Sequence, residues 1–123
     1  MIRSIFVVLL LFLSSCASVQ VNGEARVRLS TVSQVLKNCP SLVGERVVIE
    51  GVYRGWSCPE GCRNPGVTRS DACIVDSTGC IYISGTGGLS PVMDRGKLVR
   101  VEGVVSKKGE ICYLKPERLD VLR

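Results

Sequence analysis

The chain has 123 residues, of which 46% are hydrophobic, and this length suits one ordinary domain rather than a two-domain enzyme. It contains no histidine, which excludes the usual serine–histidine and cysteine–histidine catalytic pairs and histidine-ligated zinc or copper(II) sites. The formal net charge of +5 is low for a nucleic-acid-binding protein but suits a protein that lies beside anionic lipid.

Residues 1–15 have the pattern of an export signal. The run from Ile5 to Leu13 contains no polar side chain, but it has only about half of the roughly 20 apolar residues that cross a bilayer. The motif Leu13-Ser14-Ser15-Cys16 ends this region and resembles the lipobox of bacterial lipoproteins. The resemblance implies cleavage before Cys16 and attachment of diacylglycerol to its thiol. The alternative is an ordinary secretory signal that is cleaved near Ala17.

A lipid-modified Cys16 would hold the protein on a membrane essentially permanently, because several fatty acyl chains such as palmitate are buried in the bilayer. The resemblance implies a place in the cell envelope. The Ala17-Ser18 pair after the cysteine favours the outer membrane, facing the periplasm, if the cell is Gram-negative. Residues 16–29 show no sustained periodicity, so we expect a tether there and one folded domain over residues 30–123.

The folded domain begins with a helix signal and continues with β-rich runs. Thr31 and Gln34 form the capping box of a helix over about 32–38, which Pro40 is expected to end. Gly51 and Gly103 lie late in two of the β-rich runs, where a small barrel needs bulges or sharp coiling to close. Five strands are predicted, over Arg46–Arg54, Ala72–Val75, Cys80–Ile83, Lys97–Val105 and Ile111–Leu114.

The turn between the second and third strands predicts how they pair. A three-residue loop that ends in a left-handed glycine sets Asp76 opposite Cys80. Four side chains are then expected on the core side of the hairpin, in the pairs Val75 with Ile81 and Cys73 with Ile83. Ile74 and Tyr82 are expected to point outward. Cys73 and Cys80 would lie on opposite faces, which disfavours a disulfide bond between them.

Besides Cys16 the chain has an even number of cysteines, namely Cys39, Cys58, Cys62, Cys73, Cys80 and Cys112. In an exported protein this indicates disulfide bonds, and we expect at least two without assigning the pairs. The segment Cys58-Pro59-Glu60-Gly61-Cys62 resembles the C-P-x-x-C motif of copper-delivery proteins but lacks their distant histidine. A copper(I) or thiol-redox role through Cys58 and Cys62 is therefore an alternative to a structural role.

Three segments of the chain carry a further pattern: Val43–Gly51, Val75–Ile83 and Gly96–Gly103. The first and third repeat G-x-x-V-x-[IV]-x-G, and the second is a D-x-T-G-x-I hairpin. Together they resemble the OB-fold of the nucleic-acid-binding, tRNA-anti-like type over residues 41–115. The resemblance implies an all-β fold, a five-stranded Greek-key barrel preceded by the short helix and the lipoprotein signal. It does not decide the ligand, because fold alone does not determine function.

The resemblance also implies a binding face, since OB-folds bind ligands across strands two and three and the loops beside them. The residues expected there are Tyr53, Arg54, Trp56, Arg69 and Tyr82. Aromatic and cationic side chains suit single-stranded nucleic acid, but the chain has only one Trp and three Tyr. We therefore expect a protein or glycan partner in the envelope, with single-stranded nucleic acid as the alternative.

The carboxylates show no catalytic pattern. Asp76 is explained by the hairpin turn, and Glu45, Glu50 and Glu102 alternate with apolar residues as solvent-facing positions do. Acid–base catalysis needs carboxyl groups that converge in a pocket. We therefore expect a non-catalytic binding module with no cofactor, no catalytic residue and no metal site.

Overall fold

The computed structural model describes residues 27–62 and 70–123. Within these ranges the chain is mostly β, and its main strands are β2 (Arg46–Gly55), β3 (Ala72–Asp76), β4 (Gly79–Ile83), β5 (Leu98–Lys108) and β6 (Ile111–Val121). A two-residue strand, β1 (Arg28–Leu29), runs parallel to the start of β2. The predicted signal 1–15, Cys16 and most of the tether 16–29 lie outside the described residues, and the last two residues of that tether form β1.

The five main strands close into a barrel in the order β2-β3-β4-β6-β5, with β5 pairing back onto β2. Strand β2 makes this closure because its first part pairs with β5, from Arg46 opposite Val104 to Val52 opposite Leu98. Its end pairs with β3, where Tyr53 lies opposite Ile74. The closed arrangement confirms the predicted five-stranded OB-fold barrel.

Two glycines permit the close approach of neighbouring strands, as predicted. A Cβ atom on Gly51 would lie 2.5 Å from the carbonyl oxygen of Val75, and one on Gly103 would lie 2.6 Å from that of Lys115. Gly103 also lies at a register shift between β5 and β6. In β2 the irregularity falls between Tyr53 and Gly55 rather than at Gly51.

The barrel interior is built by the alternation of side chains along the strands. In β2 the buried positions recur at every second residue from Val47 to Gly55, as expected for a strand with one face on a core. The fully buried side chains of the interior include Val32, Val35, Ile49, Tyr53, Ile74, Ile81, Ile83, Val99, Val101, Val105 and Leu114. Val32 and Val35 come from the helix before the barrel. This helix therefore covers one opening of the interior.

The hairpin between β3 and β4 differs from the predicted register by one residue. Asp76 pairs with Gly79, and Val75 pairs with Cys80, so the loop has two residues rather than three. The Asp76 carboxylate accepts hydrogen bonds from the N–H groups of Thr78 and Gly79. This closes the tighter turn, and Gly79 is left in the strand with an ordinary φ rather than in the left-handed region.

A one-residue slip moves side chains to the other face of a sheet, and the hairpin shows this consequence. Ile74 faces the core, and Cys73 and Val75 face outward, contrary to the prediction. Ile81 and Ile83 face the core and Tyr82 faces outward, as predicted. The core side carries Ala72, Ile74, Ile81 and Ile83, and the outer side carries Cys73, Val75, Cys80 and Tyr82. Cys73 and Cys80 therefore share one face.

Two short helices, α1 (Val32–Lys37) and α2 (Cys39–Leu42), connect β1 to β2. The predicted capping box is present, with Thr31 accepting from the Gln34 N–H and Gln34 accepting from the Thr31 N–H. Pro40 does not end α1 but lies in the first turn of α2, where its missing N–H leaves no bond unmade. None of the helices in the described residues is long and apolar enough to cross a bilayer.

The β3–β4 turn also holds the start of α1. The Asp76 carboxylate accepts a hydrogen bond of 2.9 Å from the Val32 N–H, and the Thr78 hydroxyl oxygen accepts one of 2.9 Å from the Ser33 N–H. Both donors belong to the first helical turn, whose N–H groups have no partner within the helix. One carboxylate therefore fixes both the hairpin turn and the helix that covers the barrel opening.

We predict that this carboxylate makes stability depend on acid pH. Burial alone would raise the pKa of Asp76, but hydrogen bonds from Thr78, Val32 and Gly79 outweigh it and lower the pKa below the ordinary value of 3.8. A carboxylate with a lowered pKa in the folded state contributes stability above its ordinary pKa. That contribution is lost as the pH falls through the lowered value.

Asp76→Asn is expected to reduce the free energy of unfolding at pH 7 by about 1–3 kcal/mol, because hydrogen bonds to a charged acceptor are lost. It should also weaken the decline in stability between pH 5 and pH 2. Urea unfolding of both proteins across this range measures the two effects. An unchanged pH profile in the variant would contradict the role of Asp76.

Candidate binding surfaces

All six cysteines of the described residues are paired, which confirms the predicted disulfide bonds. Cys39 of α2 is bonded to Cys112 of β6, with a Cα–Cα distance of 6.3 Å. The other two bonds join Cys58 to Cys73 and Cys62 to Cys80, with Cα–Cα distances of 6.0 and 5.4 Å. Cys58 and Cys62 are therefore bonded to strands β3 and β4 and not to each other.

These two bonds fasten the chain that follows β2 onto the outer side of the β3–β4 hairpin. We call residues 56–62 the stapled loop; it ends in a short 3-10 helix, Glu60–Cys62. The hydroxyl of Tyr82 donates a hydrogen bond of 2.8 Å to the carbonyl oxygen of Cys62. Cys73 and Cys80 are buried beneath the loop. The outer side of the hairpin is thus covered by the protein itself.

The residues predicted to form one binding face are not brought together. Tyr53 lies in the core, fully buried, and its hydroxyl donates a 2.8 Å hydrogen bond to the carbonyl oxygen of Thr86. Burial, assisted by the charge of Asp94, raises the pKa of Tyr53. The expectation that Tyr53 lies on the binding face is wrong. Buried and more exposed positions alternate along β2, and Tyr53 falls on the same buried side as Val47. The same alternation was visible in the sequence.

The other predicted face residues have separate surroundings. Tyr82 lies outward as expected, but it is half-buried under the stapled loop, and burial together with the charge of Asp71 raises its pKa. Arg54 and Trp56 are exposed at the end of β2. Arg69 lies outside the described residues. Arg54 and Trp56 are therefore the two members whose exposed side chains the structure describes.

Trp56 belongs to an exposed apolar surface that sequence reasoning missed. The exposed fractions of Trp56, Val92 and Met93 are 53%, 51% and 81%. The backbone N–H of Trp56 donates a hydrogen bond to the carbonyl oxygen of Pro91. This bond joins the stapled loop to residues 90–97, the last part of the chain between β4 and β5, which we call the 90–97 connection. We call Trp56, Val92 and Met93 the Trp56 patch. The only sequence signal for it is the apolar run Pro91-Val92-Met93 within a connection rich in glycine and serine.

Polar contacts hold the backbone around the Trp56 patch. The indole N–H of Trp56 donates to the carbonyl oxygen of Ser70 at 3.2 Å. The guanidinium of Arg95 donates to the Ser57 hydroxyl oxygen at 2.6 Å and to the Val92 carbonyl oxygen at 2.9 Å. The exposed apolar side chains are thus presented from a backbone that is fastened on both sides.

The outer side of β2, β5 and β6 has a different character, because three of its arginines are paired with carboxylates. Such exposed pairs contribute little to stability. The pairs are Arg46 with Glu117 at 2.6 Å, Arg100 with Glu50 at 2.6 Å, and Arg118 with Asp120 at 2.9 Å. The positive charge of these three arginines is thus offset by neighbouring carboxylates.

The sequence matches no protein-family model and no curated protein. Several solved structures are similar in fold. The hypothetical protein YgiW from E. coli is 14% identical, with 76% of this chain and 89% of that chain covered and a TM-score of 0.51. The Stn1–Ten1 complex of S. pombe is 12% identical, with 81% and 80% covered and a TM-score of 0.52.

A third similar structure belongs to a much longer chain. A putative aspartyl-tRNA synthetase from Leishmania major is 13% identical, with 82% of this chain but 22% of that chain covered and a TM-score of 0.50. At such identities these likenesses show the fold and nothing finer. The protein therefore has an OB-fold, which in this chain carries the disulfide-bonded stapled loop and the exposed Trp56 patch.

Proposed function

We propose that this protein is a lipid-anchored OB-fold module of the cell envelope that binds a protein or glycan partner and catalyses no reaction. The observation that carries the proposal is the stapled loop. OB-folds bind oligonucleotides across strands two and three, which are β3 and β4 here, and this surface is covered by residues 56–62. The anchor rests on the lipobox ending at Cys16.

The placement of aromatic side chains supports a partner other than nucleic acid. Stacking on bases needs exposed aromatic rings that lie along a basic track. Tyr53 is inside the barrel, Tyr82 is under the stapled loop, and the arginines of β5 and β6 are paired with carboxylates. Nucleic acid is kept as a second candidate because of the likeness to a putative aspartyl-tRNA synthetase and the exposed Arg54.

The Trp56 patch favours a protein over a glycan. A lone tryptophan suits stacking on a sugar ring, but Val92 and Met93 add exposed aliphatic surface that sugar hydroxyl groups do not match. Tryptophan, methionine and arginine are enriched in the cores of protein interfaces, and tryptophan is a frequent energetic hot spot. The similar Stn1–Ten1 structure is itself a complex of two proteins.

We predict that a photoreactive amino acid in place of Met93, in the full chain produced in its own cells, forms a crosslink to one discrete protein partner. The same amino acid in place of Lys107, which is exposed at the β5–β6 turn, is the control and should form none. Mass spectrometry of the membrane-extracted protein should also find acylated Cys16. Crosslinks of equal yield from both positions, or unmodified protein in the soluble fraction, would contradict the proposal.

Once the partner is purified, Trp56→Ala is expected to weaken its binding by about 30-fold or more, which corresponds to a hot-spot residue. Leu29→Ala is a matched control, because Leu29 is 68% exposed and pairs near the start of β2, whereas Trp56 follows its end. Titration with single-stranded DNA at two salt concentrations tests the second candidate. Salt-sensitive binding at micromolar protein that is lost in Arg54→Ala would establish nucleic-acid binding and overturn the proposal.

A further inference from the structure

Two disulfide bonds lie close to each other between the stapled loop and the β3–β4 hairpin. The Sγ atoms of Cys62, Cys73 and Cys80 all lie within 4.8 Å of one another, and Cys58 is bonded to Cys73. We call these four residues the cystine cluster. In a tetrahedral zinc site with Zn–S bonds of about 2.3 Å, the sulfur atoms are separated by roughly 3.8 Å. Three of the four sulfur atoms therefore lie close enough together to surround one ion once the disulfide bonds are opened, and the fourth, on Cys58, is bonded to one of the three.

The chain segments that carry these sulfurs also suit a metal site. Cys58 and Cys62 are separated by three residues, within the two to four residues between paired zinc ligands. Cys73 and Cys80 lie on the outer side of the same hairpin, where Val75 pairs with Cys80 and Cys73 with Tyr82. Paired strands fix the positions of two sulfurs, and the short loop brings two more above them.

The surroundings of the cystine cluster are largely buried and mostly apolar. Cys62, Cys73 and Cys80 are buried, and the half-buried Val75 and Tyr82 pack against them. Thiolate ligands are soft and favour zinc or copper(I) over hard cations. Four of them with a tetrahedral arrangement match zinc, whose structural sites are closed and keep no position for water.

We propose that the cystine cluster is a zinc site when its two disulfide bonds are reduced, with the thiolates of Cys58, Cys62, Cys73 and Cys80 as the four ligands. Reduction consumes two equivalents of a dithiol, which deliver four electrons and four protons to the two disulfide bonds and become two disulfides themselves. Binding of one Zn²⁺ then displaces the four thiol protons and leaves an ion with four thiolate ligands.

This proposal departs from the expectation of no metal site that we drew from the sequence. The convergence depends on the β3–β4 register, which places Cys73 and Cys80 on the same face. Oxidation and metal binding exclude each other, because a sulfur in a disulfide bond is not a thiolate. In both states the stapled loop stays fastened to β3 and β4, by two disulfide bonds or by one ion, so the cover over the hairpin is kept under reducing conditions.

Cobalt(II) titration of the full chain, reduced with a phosphine under anaerobic conditions, tests the proposal. We expect one Co²⁺ per chain, with the visible d–d bands of a tetrahedral ion and a sulfur-to-cobalt charge-transfer band in the near ultraviolet. Zn²⁺ should displace the cobalt completely. Absence of these bands, or binding without tetrahedral character, would overturn the proposal.

The third disulfide bond provides a matched control in the same molecule. Cys39 and Cys112 pack with the barrel core and not with the cystine cluster, so Cys39→Ala/Cys112→Ala should keep the full cobalt spectrum. Cys58→Ser, which changes the most peripheral ligand, should weaken Zn²⁺ binding by about 100-fold and reduce the charge-transfer band. Loss of the cobalt spectrum in Cys39→Ala/Cys112→Ala, together with an unchanged spectrum in Cys58→Ser, would overturn the assignment of ligands.

Re-oxidation of the loaded wild-type protein gives a readout that does not depend on the folding of any variant. A thiol oxidant should release one Zn²⁺ for every four thiols of the cystine cluster that are consumed. Peptide mapping of the product should then find the bonds Cys58–Cys73 and Cys62–Cys80. Zinc that stays bound after these four thiols are oxidised would show that other groups hold it and would refute the proposal.

Discussion

Replacing Cys39 and Cys112 together by alanine is expected to lower the free energy of unfolding by about 4 kcal/mol. Their bond joins residues that are 73 positions apart in the chain, whereas the other two bonds join residues 15 and 18 positions apart. A bond that closes a longer loop removes more freedom from the unfolded chain. Alanine is preferred to serine because Cys39 is buried in the core, where an unpaired hydroxyl would add its own cost.

Equilibrium unfolding in guanidinium measures this effect, with Cys58→Ala/Cys73→Ala as the comparison. That second variant opens the shortest of the three loops and is expected to lose no more than about 3 kcal/mol. A smaller loss for the Cys39–Cys112 variant than for the Cys58–Cys73 variant would contradict the explanation by loop length.

Gly55→Ala is expected to destabilise the protein by about 3 kcal/mol or more, because it combines two costs. Gly55 has a φ of 56°, in the left-handed region that favours glycine, and an added Cβ atom would collide with the backbone of Pro91. The collision would separate the end of β2 from the 90–97 connection. The hydrogen bond from the backbone N–H of Trp56 to the carbonyl oxygen of Pro91 would then be lost.

Gly85→Ala is the matched control for Gly55→Ala. Gly85 also has a positive φ, 78°, but an added Cβ atom would meet nothing within 4 Å. Only the backbone strain remains, so we expect a loss of about 1 kcal/mol. Thermal or denaturant unfolding of both variants separates the clash from the strain, and equal losses would show that Pro91 moves aside at little cost.

Strands β2 and β5 were predictable from the sequence because their buried positions alternate with more exposed ones. Strands β3 and β4 were predictable as short apolar β-rich runs on either side of a turn. The last strand was predicted to end at Leu114 but continues to Val121. The extension passes through Pro116, although proline cannot donate a ladder hydrogen bond. In the structure Pro116 lies opposite Gly103 at a register shift, where a missing donor is tolerated.

The disulfide partners of Cys73 and Cys80 were not predictable, because they depend on the length of the β3–β4 turn. Whether Cys73 faces the core or the outside depends on whether the β3–β4 loop has two or three residues. The hydrogen bonds of the Asp76 carboxylate decide this, and they involve the distant N–H of Val32 as well. A long-range contact of this kind leaves no trace in local sequence patterns.

The candidate binding surface was predictable only in part. Trp56 was identified from its residue type, but Val92 and Met93 lie in a connection whose path depends on contacts with Gly55 and Trp56. Their exposure therefore follows from packing and not from periodicity. The inward position of Tyr53, by contrast, follows from the period of two that begins at Val47, and this period outweighs the general tendency of OB-folds to use aromatic side chains for binding.

The double role of β2 has a consequence for the order of folding. Its first residues pair with β5, with Arg46 opposite Val104, so a long stretch of chain has to come together before this seam forms, and such distant pairing is slow. The β3–β4 and β5–β6 hairpins are local and can assemble early. A growing chain would keep the edge of β2 that faces β5 unpaired until its last third has been synthesised, and the Cys39–Cys112 bond can lock the barrel only after that.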